Sequence, residues 1–147
     1  MTHGVTGDAA SVLHAILGMG ILTLVMAGWM VLTRLPAMSR LRLPPQSGAH
    51  TAQLRAQLPS EVLRIGDNYN HLFEAPTLFY AVSLAIVLLG LADGLQAKCA
   101  WAYLALRVVH SLVQATVNIV MIRFVVFSAS MGVLGVMIAR AVVASLG

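Results

Sequence analysis

The sequence predicts an all-α integral membrane bundle of four helices. Three observations carry that reading. Of the 147 residues, 59% are hydrophobic and only 10% are charged, with a mean hydropathy of +0.88; an ordinary soluble domain is about 25% charged. The apolar residues fall in long unbroken runs, without the alternation that a membrane β-barrel requires. Most of the arginines gather in one polar segment between the first two runs. The length leaves room for a single domain, residues 1–147.

The first run, with ILGMGILTLVMAGWMVL at its centre, makes a span over about 9–33. It is long enough for a tilted crossing. The residues before it lack the basic start of a secretory signal, and the run is too long for a signal core, so it reads as a retained span. Residues 34–64 change character, with Arg34, Arg40, Arg42, Arg55 and Arg64 among four prolines. They read as a solvent-side loop. A helix start at Pro59-Ser60-Glu61 opens a pattern that can continue to Leu89, with Pro76 as a candidate kink. Its apolar part supplies a second span at about 68–90. Gly90–Gly94 reads as a tight turn. The apolar stretch from Ala100 to Leu146 would be about 70 Å of helix. It must therefore hold two spans, about 98–119 and 123–145, with the break near Asn118–Arg123. Positive charge concentrates in the 34–64 loop and at Arg123, which places both on the cytoplasmic side and both termini outside.

Other classes are set aside on composition. The net charge of +4 and pI of 10.0 come without a basic face interleaved with aromatics, so no nucleic-acid partner is expected. The single cysteine, Cys99, excludes an intrachain disulfide framework. His3, His14 and His50 have no partners at ligand spacing, and no metal site is expected.

Polar residues inside the apolar runs are the functional signal. In the third span Arg107, His110, Gln114, Asn118 and Met121 recur at spacings of three and four, which is one stripe of a helix. Trp101 and Tyr103 read as interfacial aromatics near its outer end. On the second span Asp67, Asn70, His71 and Glu74 form another stripe. Counting along the helices puts Glu74 about 24 Å from the outer turn, level with Gln114, with Arg107 about 14 Å and His110 about 18 Å in. Charge within a span must be paired or face protein. The expectation is a polar cleft between the second and third spans, with a Glu74–Arg107 pair or a Glu74–His110 contact inside and Arg123 at the cytoplasmic rim. The competing reading is that these groups only join helices by hydrogen bonds, at about 0.6 kcal/mol each. Arg123 by itself is equally a topology anchor. Arg140 reads as a snorkelling side chain near the outer end of the fourth span. Ser128, Gly132, Gly135 and Ala139 read as a small-residue face for close packing against another helix.

Three fragments resemble one family when taken together. They are Asn70-x-x-x-Glu74-x-Pro76 within DNYNHLFEAPTLFY, Arg107-x-x-His110-Ser111 within ALRVVHSLVQATVN, and Arg123-Phe124-x-x-Phe127 within RFVVFS. In combination they resemble the MAPEG family, the membrane-associated proteins of eicosanoid and glutathione metabolism, in the wording of a bacterial-type member. The resemblance implies a homotrimer of four-helix protomers in a bacterial inner membrane, with periplasmic termini. It implies a glutathione site open to the cytoplasm at each protomer interface. Carried over, Glu74 would bind the glutathione amino group, Arg107 and His110 would line the pocket floor, and Arg123 would lie by the sulfur as the catalytic group. Asn70, His71 and Gln114 complete the implied binding set. His71 stands where the family has asparagine, and Gln114 and Phe127 stand at its tyrosine positions.

Two functions follow as expectations. One is a glutathione-dependent transferase or peroxidase acting on hydrophobic small molecules that arrive from the bilayer. The other is a non-enzymatic membrane protein of the same fold, whose cleft binds lipid or a partner subunit.

Overall fold

The structure is a computed structural model that describes residues 7–49 and 51–146. His3 and His50 lie outside the described residues. Six α-helices follow in order: α1 (Gly7–Arg40), α2 (Thr51–Arg55), α3 (Ser60–His71), α4 (Ala75–Leu88), α5 (Gly94–Ala115) and α6 (Val120–Leu146), with a 3-10 turn at Pro45–Ala49 before α2. No strand occurs among the described residues. The all-α membrane character predicted from composition holds. Among the described residues, three stretches are long and apolar enough to cross a membrane: Gly7–Arg40, Ser60–Leu88 and Val120–Leu146. The expected third span, α5, is not among them. It carries Lys98, Arg107, His110 and Gln114 within 22 residues.

Local chemistry explains where the helices stop. The stretch expected to run on from Ser60 to Leu89 breaks after His71 and restarts at Ala75. Pro76 lies in the first turn of α4, where its missing N–H costs nothing. One turn earlier that missing donor leaves the Leu72 carbonyl without its helical partner, which is why the ladder fails at residues 72–74. At the other end of α4, Gly90 adopts φ +69°. Its N–H bonds the Val87 carbonyl at 3.1 Å, and the Leu91 N–H bonds Ile86 at 2.9 Å. That pair of bonds ends the helix around a left-handed glycine. Asp93 then caps α5, accepting from the N–H groups of Leu95 at 3.0 Å and Gln96 at 2.8 Å. The α5–α6 break falls at residues 116–119, just ahead of the expected point. No glycine or proline marks it. Asn118 supplies the left-handed residue instead, at φ +54°, a conformation that asparagine tolerates better than most side chains.

The helices close on one core. Val12, Ala15, Met19 and Met26 of α1 pack with Phe79 and Ile86 of α4, Ala100 and Tyr103 of α5, and Leu134 and Met137 of α6. α5 lies against α1, α3 and α6. At Gly18 a Cβ would come within 2.5 Å of Leu104 Cδ2, so any larger residue there would have to displace the Leu104 side chain. Tyr103 is fully buried and stacks on Phe79 at 4.4 Å between centroids. The interfacial position expected for it is therefore corrected: the ring fills the core. Trp101 does stay half exposed, and its Nε1 donates to Ser11 Oγ at 3.1 Å. Arg140 pairs with Asp93 at 2.6 Å. It joins the end of α6 to the start of α5, so its part is an ion pair between helices.

Candidate functional site

The helix break sets up the site. Without a continuing ladder, the His71 carbonyl meets only the Glu74 N–H, at 3.4 Å. The Arg107 Nη2 reaches across from α5 and donates to that carbonyl at 3.3 Å. Arg107 is 1% exposed, and its Nε and Nη1 have no protein partner. Its guanidinium also lies 5.8 Å from the centre of the Phe127 ring, within reach of a cation–π contact.

Glu74 is placed otherwise than expected. Its Oε2 lies 2.7 Å from His71 Nδ1, and its side chain is 65% exposed within the protomer. It bonds neither Arg107 nor His110. The reason is local: at the break, residues 71 and 74 sit on one short arc, so the nearer imidazole captures the carboxylate before a side chain from α5 can. Thr77 Oγ1 donates to the Glu74 carbonyl at 2.5 Å and holds the backbone there.

On α5, His110 is 5% exposed. Its Nδ1 lies 3.2 Å from the Arg123 carbonyl and its Nε2 lies 3.1 Å from Gln114 Oε1. A carbonyl only accepts, so Nδ1 carries the proton. Gln114 then meets Nε2 through its amide, whose two ends are interchangeable by rotation. Arg123 Nη1 donates to Asn118 Oδ1 at 2.7 Å, which ties the first turn of α6 to the break before it. The predicted stripe on α5 is real through Gln114: Arg107, His110 and Gln114 are all buried on one face. It ends there. Asn118 is in the turn, and Met121 is exposed on α6, because the helix phase is lost at the break.

Two adjoining pockets result. One, of about 280 Å³, is lined by His71, Glu74, Arg107, His110 and Arg123 together with Val120, Phe124 and Phe127. The other, of about 300 Å³, is strongly polar and is lined by Arg55, Arg64, Asp67, Asn70, His71, Glu74, Gln114, Asn118 and Arg123. His71, Glu74 and Arg123 belong to both. The seven residues of the catalytic and binding set implied by the resemblance, Asn70, His71, Glu74, Arg107, His110, Gln114 and Arg123, thus line one pocket or the other.

A model of the MAPEG family matches residues 12–143. The chain belongs to the MAPEG family. No curated protein and no solved structure matches it at a significant level. The three fragments that carried the resemblance all contribute residues to these two pockets. Glu74 closes the break ahead of Pro76, Arg107 and His110 form the buried wall on α5, and Arg123 lies in the first turn of α6 on both pockets. Sequence reasoning did not foresee Arg55. It comes from α2 in the polar loop, and no periodicity links that loop to α3.

Proposed function

We propose that this MAPEG protein is a glutathione-dependent membrane enzyme, a transferase or peroxidase acting on hydrophobic small molecules. One observation carries the reading: a polar pocket and a largely apolar one adjoin, and Arg123 lines both. A polar peptide thiol held in the first would meet an apolar co-substrate from the second at that guanidinium. A free thiol has a pKa of about 8.5, and a neighbouring cation favours its nucleophilic thiolate. The residues fit the peptide. Glu74 offers an accessible carboxylate to an ammonium group. Arg64, on the polar pocket, offers donors to carboxylates and carbonyls, and Arg107 lines the adjoining pocket. Asn70, His71, His110 and Gln114 supply the remaining polar contacts.

The same reading has four spans per protomer, α5 being the third, with its polar face sheltered by α1, α3 and α6. It has three protomers assembling in a bacterial inner membrane with periplasmic termini. The exposed face of Ser128, Gly132, Gly135 and Ala139 on α6, where added Cβ atoms at Gly132 and Gly135 meet nothing within 4 Å, supports packing against another copy.

The alternative, a non-enzymatic protein of this fold that binds lipid or a partner subunit, draws on the internal bonds of Arg123 and His110. Both already have protein partners. Titrating the purified protein with glutathione while following thiolate absorbance separates the two. The enzyme reading expects a thiolate signal that Arg123→Ala abolishes. Absence of the signal in both proteins would leave the non-enzymatic reading in its place.

A further inference from the structure

Arg55 is the last residue of α2, a helix of 5 residues that packs on the 3-10 turn before it. It reaches α3 through a two-point ion pair with Asp67: Nη1 meets Oδ1, and Nη2 meets Oδ2 at 3.2 Å. The side chains are 47% and 36% exposed, so the pair stands at the mouth of the polar pocket that both residues line. Three arginines, Arg55, Arg64 and Arg123, and two carboxylates, Asp67 and Glu74, line that pocket. Glu74 faces His71 and Arg123 faces Asn118. Asp67 is therefore the one acid that cancels a cation of the pocket outright, and it uses the two-oxygen geometry that a ligand carboxylate would use.

We propose that Asp67 is a specificity-determining residue that competes with ligand carboxylates for Arg55. The proposal rests on the reading of the polar pocket as a glutathione site. Exposed ion pairs are individually weak, so exchanging one carboxylate for another on the same guanidinium costs little. The pocket consequently admits an anionic peptide, but holds it less tightly than three unopposed arginines would.

The test uses the full chain in detergent and has two arms. In the first, without ligand, phenylglyoxal labels arginine and mass spectrometry follows Arg55. Asp67→Asn, which keeps the shape and removes the charge, should raise the labelling rate of Arg55 several-fold and leave Arg42 unchanged. In the second, binding of glutathione and of its diethyl ester, which keeps the ammonium but has no carboxylate, is measured. Asp67→Asn should tighten glutathione about two- to fivefold, the range that exposed pairs support, and give the diester no such gain. Adding Arg55→Gln to that variant should remove the gain. Equal labelling of Arg55 in both proteins, or equal tightening of the diester, overturns the proposal. Faster labelling with no glutathione binding in either protein counts against the glutathione reading, while the hold of Asp67 on Arg55 stands.

Discussion

Asn118 performs two separable tasks, and paired substitutions pull them apart. Its backbone occupies φ +54° at the α5–α6 break, where its N–H bonds the Val113 carbonyl at 2.7 Å. Its side-chain oxygen holds Arg123 Nη1 at 2.7 Å. Asn118→Gly keeps the backbone and loses the side-chain bond. Asn118→Ala loses both. A hydrogen bond to a charged group is worth about 1.5–3 kcal/mol when well buried; this one is only partly buried, which brings it to about 1 kcal/mol. Forcing a Cβ into the left-handed region costs a further 1–2 kcal/mol, roughly. Glycine's greater freedom in the unfolded chain takes back about 0.5–1 kcal/mol of that difference. The expected order of unfolding midpoints in detergent is wild type, then Asn118→Gly, then Asn118→Ala, with the two variants about 1 kcal/mol apart. Both variants release Arg123, so both should lose much of the glutathione thiolate signal despite their unequal stabilities. An alanine variant as stable as the glycine variant would refute the cost assigned here to a Cβ in the left-handed conformation at residue 118.

The remaining predictions concern the core and the outer end. Phe79 is fully buried and stacked on Tyr103, so Phe79→Ala should cost about 3 kcal/mol through the cavity it leaves, read as a lowered unfolding midpoint; a loss under about 1 kcal/mol would mean that the stack contributes little. Asp93 gives a pH prediction. The Gln96 N–H and, after it, the Arg140 guanidinium hold its carboxyl below the usual range. Its contribution to stability is therefore complete above the unfolded-state value of about 3.9 and is lost as pH falls through the lower folded value. Unfolding midpoints of the wild type should fall with acidification below about pH 4. Asp93→Asn retains a capping oxygen without the charge and should show a shallower fall over that window; an unchanged slope would mean that the charge on Asp93 adds nothing to stability.

Much of the site was legible because helical spacing acts locally. Arg107, His110 and Gln114 stand three and four apart, and one face of α5 buries all three. The same arithmetic failed beyond Gln114, since a break without glycine or proline resets the phase and leaves Met121 exposed. Glu74 and Gln114, expected at one depth, both line the polar pocket. Depth along the helix left the carboxylate's partner open, because choosing among His71, Arg107 and His110 requires side-chain direction, and the break at residues 72–74 turns that direction. Tyr103 was misplaced for a related reason: an aromatic near a helix end looks interfacial until Phe79 is found lying flat against it.

By itself the amino-acid sequence determined the membrane class, the helical architecture, the family and the ionisable residues within the apolar runs. Hydrophobicity and the 3.6-residue period act along the chain and can be read from it. Only the tertiary structure decided that Arg107 serves a carbonyl freed at the break, that Glu74 pairs with His71 at the end of α3, and that Arg55 stands over the polar pocket against Asp67. Each of these is a contest between groups brought together across helices or around a break. Its outcome depends on distances of a few ångströms that no spacing along the chain encodes.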